Sequence, residues 1–252
     1  MHRLTLVVLL AVSGLLGSGQ LAEGQGASLY PDLQTLPPSD LFFDRISGGT
    51  HILRFSNTVW NAGEGRLEIQ GNPKPPKKKD QNTVRQIYQN LYDAPVGGTL
   101  ISHKQVASDA IYHAGHQHFH FADFASYLLL KQDATGVYQA TAKKGSKTSF
   151  CIMDTSYFRG SHNDQYWACG GELQGLTPGW GDTYDYTLVD QWVVLGNQPL
   201  EDGEYGLQST ADPRDLLDEG GRAIDPARET NNTTVTYFTV SGGQISNVRN
   251  SP

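Results

Sequence analysis

Short segments rich in β-branched and aromatic residues recur along this chain, and clusters of Gly, Asn, Asp and Pro separate them. No segment keeps the spacing of an amphipathic helix for long. Short strands with frequent turns are typical of antiparallel sheets. The 28 glycines and 12 prolines among 252 residues supply the turns that such a fold requires. We therefore predict an all-β fold, an antiparallel β-sandwich with long loops.

The predicted strands cover much of the chain after residue 50. They lie at residues 52–59, 67–69, 84–92, 116–130, 137–142, 148–153, 188–195, 203–210 and 233–240. The long strand at 116–130 is expected to bend near residues 122–123. Turn-forming residues at 61–65 predict a hairpin between the first two strands, and residues 143–145 predict another turn. The four tryptophans are expected to anchor the core; they are Trp60, Trp167, Trp180 and Trp192.

Residues 1–26 have the character of a secretory signal peptide. Met1-His2-Arg3 precedes an apolar run at residues 4–16, and small and polar residues follow it. The run is too short to span a bilayer, and no later segment is apolar enough to do so. We predict a signal peptide at 1–26 and a single domain at 27–252, in an exported protein with no membrane span.

The chain contains two cysteines, Cys151 and Cys169. In an oxidising compartment an isolated pair favours a disulfide bond. The alternative interpretation is two buried free thiols.

The formal net charge of −7 bears on the partners of the protein. It argues against a nucleic-acid partner and is compatible with a cationic substrate. The lysines at residues 74–79 lie among prolines, without apolar periodicity, so they predict a solvated loop.

Three of the eight histidines alternate with other residues in the segment at 115–121. In an extended strand His116, His118 and His120 share one face, where same-face neighbours lie about 7 Å apart. Each imidazole nitrogen must come within roughly 2 Å of a shared ion, so the strand must curl, with Gly115 allowing the bend. Imidazole suits copper, zinc, nickel or iron, and three ligands leave coordination positions free for chemistry. The alternative is three solvated or hydrogen-bonded histidines.

Further motifs follow the histidines in order along the chain. They are Lys-Thr-Ser-Phe-Cys at 147–151, Asp-Thr-Tyr at 182–184 and Gln-Trp at 191–192. The chain resembles the lysyl oxidase family, whose members carry a His-x-His-x-His copper motif, a Lys before Ser-Phe-Cys, and Asp-Thr-Tyr followed by Gln-Trp. The likeness runs from about residue 31 to residue 232.

This resemblance implies an enzyme that uses copper, bound by the three histidines, and lysine tyrosylquinone. By position, Tyr184 is the ring that copper and dioxygen oxidise, and Lys147 is the amine that adds to it. Such an enzyme oxidises primary amines or lysyl side chains of proteins to aldehydes and releases ammonia and hydrogen peroxide. Asp182 and Asp185 lie nearest to Tyr184 as general bases, with a turn role as the alternative. His113 matches a family histidine and is expected either beside the ligands or in solvent.

The resemblance also implies a calcium site formed by the two ends of the domain. The matching residues are Asp32, the Leu33 carbonyl, Asn231 and Asn232. Hard oxygen ligands are those that calcium selects. The acidic positions do not align, so a further carboxylate is expected from one of Asp218, Glu219 and Glu229. A turn closed by Asx hydrogen bonds is the alternative.

Two departures from the family pattern limit what is carried over. Most cysteines of the animal members are missing, and Cys151 and Cys169 match positions that pair with other cysteines there. Their pairing with each other is therefore a prediction about this chain. No matrix-targeting domain accompanies the catalytic segment, which puts collagen and elastin in doubt as substrates. The alternative function is a secreted metal-binding or adhesion module that keeps the fold without the quinone.

Overall fold

The computed structural model describes residues 27–71, 84–113, 116–161, 163–169, 172–220 and 225–252. The predicted signal peptide, the lysines at 74–79 and Gly115 lie outside these residues. Within them, the helical structure is one four-residue 3-10 helix at Pro226–Glu229, and no helix has the length and apolar character needed to cross a membrane.

The described residues form seventeen strands. In chain order they are β1 (Leu33–Thr35), β2 (Ser39–Arg45), β3 (His51–Asn61), β4 (Leu67–Gly71), β5 (Val84–Tyr92), β6 (Leu100–His113), β7 (His118–Ala122), β8 (Ala125–Gln132), β9 (Tyr138–Lys144), β10 (Ser149–Phe150), β11 (Ser156–Tyr157), β12 (Leu173–Leu176), β13 (Trp180–Tyr184), β14 (Trp192–Gly196), β15 (Gly203–Ala211), β16 (Thr233–Ser241) and β17 (Gln244–Arg249).

The strands form three sheets. The first has the order β1-β3-β13-β11, with β2 and β14 also paired to β3; the second is β10-β7-β6-β5-β4-β12; the third is β17-β16-β15-β8-β9. Every pairing among the described strands is antiparallel. The predicted all-β antiparallel fold is therefore confirmed, and a third sheet extends the sandwich. That residues 27–252 form one domain stays a prediction.

Among the local predictions, one is confirmed and several are corrected. The bend in the long strand is confirmed, because β7 ends at Ala122 and β8 begins at Ala125. The turn predicted at 143–145 is wrong at residues 143 and 144, because these two lysines are the last residues of β9. The strand predicted at 188–195 begins only at Trp192, since residues 188–191 form turns in which Asp190 has a φ of +66°. Trp167 is 72% exposed and is no core anchor.

The hairpin predicted across residues 61–65 is wrong, because β3 and β4 belong to different sheets. The side chain of Asn61 accepts from the backbone of Asp32 at 3.1 Å and donates to the Gly65 carbonyl at 2.8 Å. A Cβ at Gly65 would collide with the Leu29 backbone. The turn therefore packs under the N-terminal segment and carries the chain from one sheet to the next.

Aromatic rings connect the core to the region of the predicted site. Phe55 of β3 and Tyr127 of β8 meet edge to face, with ring centroids 4.6 Å apart. The ring centroids of Tyr127 and Phe150 lie 6.5 Å apart, and those of Phe150 and Tyr184 lie 5.0 Å apart in an edge-to-face arrangement. Edge-to-face pairs are favourable beyond the area they bury. Aromatic residues from all three sheets therefore form a continuous packed row that ends at the ring of Tyr184.

Candidate metal centre and active site

The β6–β7 hairpin and its turn carry the three predicted metal ligands. His118 and His120 lie on one face of β7, whereas His116 precedes the strand within the turn. Gln117 has a φ of +61°, in the left-handed region that reverses the chain direction. The expectation that all three histidines share one strand face is therefore wrong. A turn, where we expected a curled strand, brings His116 to the other two.

The three imidazole rings converge. Nδ1 of His116 lies 3.3 Å from Nε2 of His120, and Nε2 of His118 lies 3.0 Å from the same atom. Nitrogens bound at about 2.0 Å in a tetrahedral site are separated by about 3.3 Å. The ring of His113 stacks on His116 and His120, at centroid distances of 4.1 and 4.9 Å. The nitrogen spacing is thus that of a metal site, and His113 supports two of its rings.

Desolvation favours the neutral form of the three imidazoles, most strongly at the buried His120. It lowers the pKa of His116 and of His118, and the charge of neighbouring histidines lowers both further. Burial lowers the pKa of His120 to about 3, with His118 as the next cause. The Ser149 hydroxyl lies 3.5 Å from Nδ1 of His120, on the side of the ring away from the other nitrogens. Neutral rings present the lone pairs that a metal ion needs.

The loop that carries Lys147 is anchored to β14. Gly145 forms a bridge with Val193, and the amide of Ser146 donates to the Trp192 carbonyl at 2.9 Å. A Cβ at Gly145 would lie 2.8–2.9 Å from the Tyr127 side chain, so a larger residue would displace the loop.

The amine of Lys147 lies over the ring of Tyr184. Its Nζ is 4.7 Å from the centroid of that ring. Burial lowers the pKa of Lys147, against the opposing effect of Asp190 and Asp182. A lowered pKa increases the fraction of neutral amine, which is the nucleophilic form.

Tyr184 ends β13, and its hydroxyl donates to the Cys151 carbonyl at 2.5 Å. Burial raises the pKa of Tyr184 well above its ordinary value, and the nearby Asp182 carboxylate raises it further. Together with Phe150, this hydrogen bond fixes the plane and the depth of the ring.

The two aspartates proposed as bases differ in environment. Asp182 is 3% exposed and accepts from the Met153 amide at 3.3 Å. Burial raises its pKa well above the ordinary value. Asp185 is exposed and accepts from the Thr187 amide at 2.7 Å, as a turn residue does. Of the two, Asp182 therefore has the buried position next to Tyr184.

These side chains meet in one cleft of about 370 Å³. Its lining consists of His116, His118, His120, Lys147, Cys151, Met153, Thr155, Cys169, Asp182, Thr183, Tyr184, Thr187, Leu188 and Val189. The apolar rim residues Leu188 and Val189 were not predicted as part of a site, because they fall in the predicted strand at 188–195. Met153 was also missed, and its signal is its position two residues after Cys151.

The predicted disulfide is confirmed. Cys151 and Cys169 are bonded, with their Cα atoms 5.8 Å apart, and the alternative of free thiols is wrong. A cross-link that closes a loop of this length contributes about 3 kcal/mol to stability. It ties the loop at 163–169 to the floor of the cleft.

The predicted calcium residues cluster where β1 and β16 begin. The Glu219 carboxylate accepts from the amide nitrogen of Leu33 and from Nδ2 of Asn232, the latter at 3.0 Å. Nδ2 of Asn231 donates to Asp32 at 2.9 Å. Of the three acidic candidates, Glu219 forms the hydrogen bonds to Leu33 and Asn232, and Leu33 contributes its amide to that contact.

This cluster is rich in oxygen and poor in positive charge. Burial raises the pKa of Glu219 to about 8, and no described Lys or Arg forms an ion pair with it. The Oδ1 atoms of Asn231 and Asn232 are buried without a hydrogen-bond partner among the described residues. Orphaned oxygens beside a buried carboxylate fit a hard cation such as calcium.

Comparison with known proteins agrees with the motifs. A family model described as lysyl oxidase matches residues 94–238, which is more than half of the chain. The chain belongs to the lysyl oxidase family. The region that matches the lysyl oxidase model contains the three histidines, Lys147 and Tyr184, whereas Asp32 and Leu33 precede it.

Several lysyl oxidases and their homologs are similar to this chain over part of its length. Protein-lysine 6-oxidase of Sus scrofa is 38% identical over 109 residues, which is 43% of this chain and 41% of that protein. Protein-lysine 6-oxidase of Homo sapiens is 36% identical over 109 residues, or 24% of its length. Lysyl oxidase homolog 1 of Homo sapiens is 34% identical over 106 residues, or 17% of its length. The matched segments thus span less than half of each of these relatives.

Proposed function

We propose that this protein is a copper-dependent amine oxidase that converts primary amines or peptidyl lysine into aldehydes. One amine, one dioxygen and one water yield one aldehyde, one ammonia and one hydrogen peroxide. The observation that carries the proposal is the meeting of the histidine triad, the Lys147 amine and the Tyr184 ring in one cleft. Similarity to proteins named protein-lysine 6-oxidase supports peptidyl lysine as one substrate class.

The proposed copper ligands are His116, His118 and His120. Their neutral nitrogens, 3.0–3.3 Å apart, suit an ion that prefers imidazole. Bound copper would supply one-electron redox chemistry with dioxygen beside the Tyr184 ring. The Ser149 hydroxyl near His120 and the stacked ring of His113 keep the ligands oriented, which is the usual task of groups around a metal site.

The proposed organic cofactor is lysine tyrosylquinone, formed from Lys147 and Tyr184. The finished quinone would supply an electrophilic carbonyl and accept two electrons from the amine. Desolvation lowers the pKa of Lys147 and so increases the neutral fraction of the amine that lies over the ring to which it would bond. The hydrogen bond to the Cys151 carbonyl and the Phe150 edge prevent the ring from turning away.

Asp182 is the proposed general base for the α-carbon of the substrate. Its burial and its raised pKa suit a carboxylate that takes a proton near neutral pH. The rim residues Leu188 and Val189 are partly exposed and apolar, so they suit the methylene chain of a lysyl side chain. The net negative charge of the chain favours the approach of such a cation.

We further propose a calcium site at Asp32, Glu219, Asn231 and Asn232, with Leu33 at its edge. Its support is the pair of orphaned amide oxygens beside a buried carboxylate. The ion would join the first strand to the segments around residues 219 and 231, which are distant in sequence. Export through a signal peptide at 1–26, with one domain at 27–252, remains part of the same proposal.

The decisive experiment follows cofactor formation in the purified chain. After copper(II) loading in air, we expect proteolytic peptides that contain Lys147 and Tyr184 to be joined covalently in the mass spectrum. The same sample should release peroxide from cadaverine and from a lysyl peptide, but not from the Nε-acetylated peptide. His120→Ala should prevent both results, because it removes the most buried ligand. Copper-loaded wild type without the link and without peroxide would instead favour the metal-binding module.

Calcium is expected to raise the thermal stability of the protein. At a calcium concentration of about 100 times Kd, the linkage gives about 2.7 kcal/mol, or roughly 5–10 °C in Tm for a domain of this size. Glu219→Gln should fold without calcium and lose the shift, since the amide keeps the contact with Asn232 but cannot supply the anionic oxygen that calcium selects. Differential scanning calorimetry measures both proteins, with magnesium as the control ion. An equal shift in Glu219→Gln would contradict the assignment.

A further inference from the structure

The sulfur atoms of this chain gather beside the histidine triad. Apart from Met1, they belong to Cys151, Cys169 and Met153, and all three residues line the cleft. Sδ of Met153 lies 3.5 Å from Sγ of Cys169. A ring nitrogen of His118 and the two cysteine Sγ atoms lie within 4.8 Å of one another. Opening the disulfide would therefore leave two thiols beside one imidazole, with one thioether in contact with Cys169.

The chemistry of this set differs from that of the triad. Thiolate and thioether are soft ligands that select Cu(I), whereas an all-imidazole set accepts several divalent ions. As long as the disulfide is closed, the two cysteine sulfurs are not available as thiolates. The oxidation state of one bond therefore decides which kind of metal site the cleft contains.

We propose that the dithiol form of this protein binds Cu(I) through Cys151 and Cys169, with Met153 and His118 completing the site. A dithiol reductant opens the bond by thiol–disulfide exchange: the protein S–S bond breaks, the S–S bond of the reductant forms, and two protons remain on the cysteine sulfurs. Binding of Cu(I) then displaces these protons to solvent, because the thiolate is the ligand.

The distances between the ligand atoms are compatible with Cu(I) binding after reduction. Metal–sulfur bonds of about 2.3 Å place ligand atoms roughly 4 Å apart, and His118 lies within 4.8 Å of both cysteine sulfurs. The two sulfurs must separate to reach this ligand spacing, and reduction breaks the bond that holds them together. Cys169 is half-buried at the open cleft, so a small reductant can reach it.

The loop that carries Cys169 has an anchor besides the disulfide. The carboxylate of Asp154 accepts from the amides of Gln165 and Tyr166 at 3.0 and 3.2 Å, and from the hydroxyl of Thr177 at 2.6 Å. These hydrogen bonds hold residues 165 and 166 beside the segment that follows Cys151. Cys169 therefore stays near Cys151 and Met153 in the reduced protein.

Sharing of His118 couples this site to the triad. A Cu(I) ion on the sulfur set occupies one ligand of the triad. Exchange with an external disulfide, which is reduced to its two thiols, closes the protein S–S bond, removes two ligands from that ion and frees His118. The dithiol form is thus suited to take up copper, and the disulfide form to hold it on imidazoles. The inference does not depend on quinone formation.

The test measures Cu(I) affinity without oxygen. The full chain is reduced with dithiothreitol, desalted, and titrated with Cu(I) against the chromophoric chelator bicinchoninate. We expect one equivalent to bind at least about 100-fold more tightly than to the disulfide form, since only the reduced form offers thiolates. Met153→Leu should weaken binding about tenfold and Cys169→Ser about 100-fold or more, as expected for a lost supporting or primary ligand.

His103→Ala is the matched control, because it removes an imidazole of β6 that does not line the cleft and leaves the sulfur set intact. It should change Cu(I) affinity of the reduced protein less than about threefold. X-ray absorption of the reduced wild type should report sulfur at about 2.3 Å. Equal affinity of the reduced and disulfide forms, a shell of nitrogen alone, or unchanged affinity in Cys169→Ser would each overturn the proposal. Amine oxidation is measured with the disulfide form of the protein. Absence of that activity would therefore contradict the proposed function and not the Cu(I) site.

Discussion

Replacing Lys147 by alanine, or Tyr184 by phenylalanine, is expected to abolish peroxide release from primary amines, with a loss of about 10³-fold or more. Each change removes one of the two groups from which the quinone is proposed to form. Lys147→Ala removes the nitrogen that lies 4.7 Å from the ring centroid. Tyr184→Phe removes the phenol oxygen, without which the ring is not oxidised. Initial rates of peroxide formation after copper loading in air measure the loss.

Two matched variants separate this effect from general damage. Lys144→Ala removes an exposed amine from the end of β9, and Tyr186→Phe removes a hydroxyl from a ring that packs on Phe42 outside the cleft. Both should keep activity and the covalent link. All four variants should bind the same amount of copper as the wild type, because the triad is unchanged. Residual turnover in Lys147→Ala would show that the cofactor is not built from this lysine.

Asp182→Asn is expected to lower kcat by about 10²- to 10⁴-fold, the usual contribution of a positioned general base. Asparagine keeps the volume and the acceptor oxygen for the Met153 amide but cannot take a proton. Rates are expressed per covalently linked protein, so that any effect on cofactor formation is counted separately. Asp185→Asn, at the neighbouring exposed turn, is the control and should leave kcat nearly unchanged.

The pH dependence supplies a second readout for Asp182. Burial raises the pKa of this carboxyl, and a base must be ionised to act. The acid limb of kcat should therefore lie above the pH at which an ordinary aspartate ionises, with activity lost as pH falls through the raised pKa. Asp182→Asn should lose this limb together with the rate. An unchanged profile in the variant would assign the base to another group.

The long strand β6 illustrates what the local sequence does not reveal. Its side chains are mostly polar and exposed, so no apolar alternation predicts a strand at residues 100–113. Its backbone is paired on both sides, with β5 and with β7. The neighbouring strands therefore define it through hydrogen bonds, and the core contributes little. Because β6 was missed, the turn that places His116 was missed with it.

The calcium cluster and the apolar rim of the cleft also could not be predicted from neighbouring residues, because contacts between distant parts of the chain form them. Three acidic residues were equal candidates in the sequence, and only packing brings Glu219 to Leu33 and Asn232. The run at residues 188–191 has strand-like composition, yet a left-handed residue at Asp190 turns it toward the cleft. Neither choice follows from a window of neighbouring residues.

The sequence by itself determined the all-β class, the pairing of its two cysteines as a prediction, and the identity of the histidines, Lys147 and Tyr184 as chemical groups. These depend on residue type, spacing and order, which a chain carries whether or not it is folded. Only the tertiary structure decided that a turn completes the triad, that Lys147 lies over the Tyr184 ring, and that Asp182 is buried while Asp185 is not. Such relations arise from the packing of strands that are distant in sequence, and burial then sets the charge states on which the proposed chemistry depends.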